Sequence, residues 1–133
     1  MNDLRDSLMN ISRAINNDSR LNWINAGGCG VFAAIVAKQF NLPSDCIRWY
    51  FVGKDMHHIA HVVIKLSDGT EYDSNGFNKN VFRSYNNKMV NYSYLATTLR
   101  KLGLWNNRFN RTKLTPIISE IVKKEAKRYY EAT

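Results

Sequence analysis

The sequence Asn25-Ala26-Gly27-Gly28-Cys29-Gly30-Val31-Phe32-Ala33-Ala34 places one cysteine between a glycine-rich turn and an apolar segment. Apolar residues recur at helical spacing from Cys29 to Phe40, and Pro43 prevents continuation, so the pattern predicts a central helix that begins at Cys29. The first turn of a helix carries partial positive charge and unpaired N–H groups, which favour a thiolate over a thiol. The glycines around the sulfur would let a substrate backbone approach it closely. Cys29 is therefore the candidate nucleophile.

A second stretch, from His61 to Asp73, predicts a β-hairpin whose register can be worked out. A three-residue loop at 67–69, with its glycine in the left-handed conformation, sorts the side chains into an apolar face and a polar face. A two-residue loop would mix them on both faces. The three-residue loop places Lys65 opposite Glu71 as a cross-strand ion pair. It also places Asp73 diagonal to His61 on the same face, within reach of a carboxylate–imidazole hydrogen bond.

These residues supply the three parts of a cysteine-nucleophile triad. We expect His61 to take the proton of Cys29 or to form an ion pair with its thiolate. We expect Asp73 to fix the imidazole tautomer and to stabilise the imidazolium. Asn75 falls directly opposite His61 and is the reserve candidate for the orienting residue. The backbone N–H of Cys29 is expected to bind the oxyanion of an acyl-transfer reaction, together with one further donor.

At these residues the chain resembles the papain-like fold superfamily, in its small Cys–His–Asp or Cys–His–Asn members. The motifs are Gly28-Cys29-Gly30-Val31-Phe32-Ala33 before a helix, His61-Val62-Val63, and Tyr72-Asp73. They are similar to those of bacteriocin-leader cysteine peptidases, cell-wall amidases of the NlpC type and transglutaminase-like proteins, and the likeness covers about residues 22–76. The resemblance implies an α+β fold with a central nucleophile helix packed on a small antiparallel sheet. It also implies thiol hydrolase or acyl-transfer chemistry on a peptide, another amide or a thioester, without a metal or other cofactor.

One position departs from the family pattern. Papain-like peptidases carry a glutamine six residues before the nucleophile as the second oxyanion donor, and this chain has Trp23 there. Asn22 and Asn25 are the candidate substitutes, and Gly28 is expected to contact the substrate beside them. If neither asparagine serves, a weaker or different activity is expected.

The remaining pattern completes a single domain over residues 1–133, with a catalytic core at 22–76 and a basic helical extension at 77–133. Apolar spacing predicts an amphipathic helix over 3–16, strands over 46–52 and 57–66, a helix over 92–102 ended by Gly103, and a last helix from Thr115-Pro116. A polar, asparagine-rich loop is expected after Gly76. The fold class expected from these elements is α+β.

Charge is distributed unevenly along the 133 residues. Residues 1–75 hold seven Lys/Arg and eight Asp/Glu, a net −1, whereas residues 76–133 hold twelve Lys/Arg and three Glu, a net +9. Such an asymmetry indicates either a solvated basic face or an acidic partner. The alternative function is therefore a non-catalytic papain-like module that binds nucleic acid or an acidic protein through its basic half. Aromatic residues there would stack on bases or belong to the core.

Three further features bear on the alternatives. Free cysteines are commonly packed core thiols, the competing interpretation of Cys29, and Cys46 is interpreted as structural. His57 and His61 share a strand face and with Cys29 or Asp73 could ligate zinc, but about 13 Å separates residues four apart in a strand. Unless the strand entry is looped, the triad is therefore expected rather than a metal site. The first ten residues lack the apolar run of a secretory signal, and no stretch is long enough to span a membrane, so a cytoplasmic location without membrane contact is expected.

Overall fold

A computed structural model describes residues 3–21, 28–43, 45–78, 82, 84–102 and 114–132. Within them the chain forms four helices and a five-stranded antiparallel sheet, so the expected α+β class is confirmed. The helices are α1 (Leu4–Asn17), α2 (Cys29–Gln39), α3 (Tyr92–Lys101) and α4 (Leu114–Ala132). The strands are β1 (Ile47–Phe51), β2 (Ile59–Lys65), β3 (Glu71–Asp73), β4 (Gly76–Asn78) and β5 (Asn86–Val90).

The sheet has the order β4-β3-β2-β1-β5, and α2 is the central helix of the core. Every residue of α2 from Cys29 to Ala37 is buried, which agrees with the expectation of an apolar central helix. Phe32 of α2 packs against Tyr72 of β3 with 5.7 Å between ring centroids. The Tyr72 hydroxyl donates a 2.6 Å hydrogen bond to the Leu8 carbonyl, so it ties β3 to α1 as well. Helices and sheet therefore enclose one core that fixes where the α2 N-terminus lies.

The β2–β3 hairpin has the register that the sorting of faces predicts. Ile64 pairs with Tyr72 and Lys65 pairs with Glu71, and Gly69 has a φ of +86° in the loop. The expected ion pair between Lys65 and Glu71 is wrong, however. The Glu71 carboxylate instead accepts a hydrogen bond from Arg48 of β1, because the long guanidinium reaches across β2 on the same buried face.

The asparagine-rich segment after Gly76 differs from the expected loop, because β4 and β5 lie in it. In the described sheet β5 is an edge strand beside β1, and its first three side chains are polar and exposed. Such a strand lacks the apolar alternation that identifies strands in a sequence, and Val90 is its one β-branched residue. Its conformation comes from hydrogen bonding to the buried β1. Residues 77–133 thus contribute a strand to the central sheet as well as α3 and α4.

The helical predictions outside the centre are confirmed where they are described. α1 buries Leu8, Ile11 and Ile15 on one face, and Asp3 caps its N-terminus by accepting from the Asp6 N–H. Asn91 caps α3 in the same way. Gly103, expected to end α3, lies outside the described residues. Among the described helices, none combines the length and apolarity that a membrane crossing requires.

Gly76 lies in the turn that follows Asp73. Its φ is +112°, a conformation that residues with a Cβ rarely adopt. We therefore expect Gly76→Ala to destabilise the protein by about 1–3 kcal/mol. Chemical denaturation monitored by circular dichroism measures the change. Gly30→Ala is a poor control because its Cβ would meet Leu99, whereas Ala132→Gly in the last turn of α4 changes a glycine–alanine pair without a positive φ. A Gly76→Ala variant as stable as the parent would contradict the strain argument.

Candidate active site

Cys29 is the first residue of α2 and is 9% exposed. Gly28 precedes it as the N-cap and has no side chain with which to cap the helix. The first N–H groups of α2 therefore have no acceptor within the helix and surround the sulfur with partial positive charge. Gly30 is required by packing, since a Cβ there would come within 2.9 Å of the Leu99 side chain of α3. The close approach of α3 holds the cysteine end of α2 in place.

His61 and Asp73 form a buried hydrogen-bonded pair. His61 Nε2 lies 2.9 Å from Asp73 Oδ2, and the two side chains are 4% and 7% exposed. His61 lies in β2 opposite Tyr50 of β1, and Asp73 is the last residue of β3. The contact is the diagonal one that the three-residue loop predicts. It is buried from water, so each group satisfies part of the hydrogen bonding of the other.

The Asp73 carboxylate is oriented by the turn that follows it. Its Oδ1 accepts a 2.9 Å hydrogen bond from the backbone N–H of Asn75. Asn75, the reserve candidate, thus takes part through its backbone. From α1, Ser12 Oγ donates to the Asp73 carbonyl at 3.3 Å, and Asn16 Nδ2 donates to the Ser74 carbonyl at 2.9 Å. Sequence reasoning missed both α1 residues, because nothing in a helix pattern indicates which polar residue faces a distant strand.

The imidazole of His61 also interacts with Cys29. Burial by itself would lower the pKa of His61, but hydrogen bonds to Asp73 and Cys29, and the negative charges of both groups, outweigh it and raise the pKa to about 9. Because Asp73 occupies Nε2, Nδ1 is the ring nitrogen available to another group. The site therefore favours an imidazolium at neutral pH, between a carboxylate and the sulfur at a helix N-terminus.

Phe82 covers this pair. Its ring stacks on the His61 ring with 4.7 Å between centroids and 30° between planes. Tyr50 and Tyr85 pack against Phe82 in turn, each with 5.8 Å between centroids. The sequence analysis assigned no part in the site to Phe82. The sequence around a single phenylalanine in a polar segment does not indicate which side chain it packs on.

A second buried polar group lies on the same face of the sheet. Glu71 Oε2 accepts from Arg48 Nη1 at 2.9 Å and from the Tyr50 hydroxyl at 2.6 Å. Burial and the hydrogen bond to Glu71 raise the pKa of Tyr50, so this hydroxyl remains a donor. Alternation within β1 and β3 places these side chains on the face of His61 and Asp73. Side-chain alternation in the sequence indicates that these residues share a face, but it does not show that this face is buried.

The other residues singled out in the sequence fall partly outside the described part of the chain. Asn22 and Asn25, the candidate oxyanion donors, and Trp23 lie outside the described residues. Cys46 precedes β1, and burial raises the pKa of its thiol to about 11. The exposed side chain of His58 lies 3.8 Å from Asp55 and away from His61. In the part of the chain that the structure describes, no group of three or more His, Cys, Asp or Glu side chains could hold a metal ion.

Comparisons with protein-family models, with curated proteins and with solved structures found no match to this chain. The arguments for a function therefore come from the site itself.

Proposed function

We propose that the protein is a small papain-like cysteine hydrolase or acyltransferase, of the peptidase or amidase type, with Cys29 as nucleophile. The observation that carries the proposal is the shared imidazole of His61. It bonds the buried Asp73 through Nε2 at 2.9 Å and interacts with Cys29 at the N-terminus of α2. A nucleophile, a base and an orienting carboxylate in this order of contact are what covalent acyl transfer requires.

The expected reaction has two halves. The Cys29 thiolate attacks the substrate carbonyl carbon, and the carbonyl electron pair moves to oxygen, where the N–H groups at the start of α2 stabilise it. As the pair returns, the bond to the leaving amine or thiol breaks and imidazolium His61 protonates that group. The product is a thioester on Cys29. Neutral His61 then takes a proton from water or from an acceptor amine, which attacks the thioester and releases Cys29 as thiolate.

Asp73 has a defined part in both halves. Its carboxylate accepts from Nε2–H of His61, which directs the other nitrogen, Nδ1, toward the sulfur. It also stabilises the imidazolium that donates the proton to the leaving group. Phe82 stacks on the same ring and limits the access of water to this hydrogen bond, which strengthens the electrostatic interaction.

Alkylation of the two cysteines tests whether Cys29 is a nucleophile. At pH 6.5 we expect iodoacetamide to modify Cys29 at least about 100-fold faster than Cys46, because the burial of Cys46 raises its pKa to about 11 and leaves little thiolate. Peptide mass spectrometry of the folded protein resolves the two rates. Equal rates would overturn the proposal and would favour the non-catalytic binding module.

Acyl transfer is tested separately with p-nitrophenyl acetate. The parent protein should release a burst of about one equivalent of p-nitrophenolate as the acetyl thioester forms. Cys29→Ala should abolish the burst, whereas Cys46→Ala, which removes the other thiol, should retain it. A burst that survives Cys29→Ala would assign the acylation to another group.

A further inference from the structure

A cavity of about 260 Å³ lies on the sheet face that carries His61 and Asp73. Val63, Glu71, Asn75, Asn78 and Phe82 complete its lining. A water molecule occupies about 30 Å³ in the liquid, so the cavity has room for a group the size of a side chain. It shares two residues with the proposed catalytic site, which means that an occupant would lie beside the imidazole.

Glu71 lines this cavity, and the hydrogen bonding of its carboxylate is incomplete. Its side chain is 3% exposed, and both of its hydrogen bonds, from Arg48 and Tyr50, go to Oε2. Among the described residues, no partner bonds Oε1. In the described part of the chain, the fully enclosed side-chain atoms without a partner are Ser7 Oγ and Arg48 Nε, so Oε1 keeps contact with open space. Because Glu71 lines the cavity, that open space is the cavity.

The chemistry of the lining selects the occupant. A carboxylate oxygen only accepts hydrogen bonds, so Oε1 requires a donor. Asn75 and Asn78 each offer an amide oxygen as a further acceptor, and Asn78 lies directly opposite Glu71 in the β3–β4 pair. Asp73 is paired with His61 and Glu71 Oε2 with Arg48, so the open Oε1 selects the occupant rather than an excess of negative charge. No group of three or more candidate metal ligands is found among the described residues, so an organic cation fits better than a metal ion.

We propose that this cavity is a subsite for a positively charged group of the substrate, an ammonium or guanidinium such as that of a lysine or arginine side chain. The cation donates to Glu71 Oε1 while the substrate carbonyl meets Cys29. That the cation belongs to a substrate rests on the proposed function, whereas the binding of a cation by Glu71 does not.

The test compares two ligands of the same shape, n-butylguanidine and the neutral n-butylurea, titrated into the folded protein and followed by NMR. We expect n-butylguanidine to shift the signals of His61 and of the Asn75 and Asn78 side-chain amides in a saturable way. n-Butylurea should bind at least 10-fold more weakly. Equal binding of both compounds, or no saturable shift up to about 100 mM n-butylguanidine, would overturn the subsite.

Two variants locate the binding. Glu71→Gln should weaken n-butylguanidine at least 10-fold, and Glu125→Gln, which removes the same charge from α4, should not. Glu71→Gln also disturbs Arg48 and Tyr50, so Asn78→Lys provides a second variant. It keeps Glu71 and places an ammonium opposite it, which should displace n-butylguanidine. Unchanged affinity in Asn78→Lys would overturn the assignment to this cavity.

Cys29→Ala separates the subsite from the proposed reaction. This variant should bind n-butylguanidine with unchanged affinity, because Cys29 does not line the cavity. Saturable binding combined with an inert Cys29 would reject the proposed function and keep the cation site. A reactive Cys29 combined with no difference between n-butylguanidine and n-butylurea would reject the subsite and keep the proposed function.

Discussion

Replacing His61 by alanine is expected to slow the alkylation of Cys29 at pH 5.5 by about 10- to 100-fold. A free thiol with a pKa of about 8.5 is roughly 0.1% ionised at that pH, whereas a thiolate beside an imidazolium stays ionised. The rate is expected to fall by less than the thiolate fraction does, because the less acidic thiol gives a more nucleophilic thiolate. The rate constant with iodoacetamide, measured by mass spectrometry across pH 5–9, gives the comparison.

The shape of the pH profile is the sharper readout of this experiment. With His61 present, the alkylation rate should change little across the acidic range. In His61→Ala it should rise about tenfold per pH unit, as expected for an unassisted thiol. His58→Ala is the matched control, because His58 is exposed and bonds only weakly to Asp55. Identical profiles for His61→Ala and the parent would show that His61 does not hold the thiolate.

Asp73→Asn is expected to destabilise the protein at pH 6.5 by about 1–3 kcal/mol, since the imidazolium loses its charged acceptor. The pKa of His61 is raised to about 9 in the folded protein, above its ordinary value of 6.5. The stabilisation is therefore complete below pH 6.5 and is lost as the pH rises through 9, up to about 3 kcal/mol in total. The parent should lose stability across this range, and Asp73→Asn should lose less.

Urea denaturation at pH 6 and pH 9.5, together with NMR titration of the His61 ring, checks both parts. The pKa of His61 should fall in Asp73→Asn because the amide keeps a hydrogen-bond acceptor but not the negative charge. Asp55→Asn breaks the exposed pair with His58 and should change stability by less than about 0.5 kcal/mol. If Asp73→Asn has the pH dependence of the parent, Asp73 does not stabilise the His61 cation.

The predictions that the structure confirmed were those in which one geometry could be chosen over a defined alternative. The β2–β3 register followed from the alternation of side chains, because a shift by one residue would have moved Val62 and Ile64 out of the core. That register brought His61 and Asp73 together. The start of α2 at Cys29 followed from the glycine turn and the apolar run. Both signals are local, and each constrains which side chains can be buried.

The predictions that failed concern residues whose partners lie far along the chain. Glu71 was assigned to Lys65, its cross-strand neighbour, but the covered face let Arg48 and Tyr50 reach the carboxylate. β5 was missed because its polar side chains lie on an edge and its pairing is with β1. Long polar side chains have several possible partners, and the buried environment selects among them.

The amino-acid sequence thus specified the helix that presents Cys29 and the hairpin that pairs His61 with Asp73, because hydrophobic periodicity and loop geometry act over short distances. The packing of α2 against the sheet let Cys29 act on the pKa of His61, and Phe82 came to stack on the His61 ring. The same packing left Glu71 facing a cavity. These contacts join residues about 10 to 30 positions apart, and such a juxtaposition arises only when apolar burial compensates for the entropy lost in closing the chain between them.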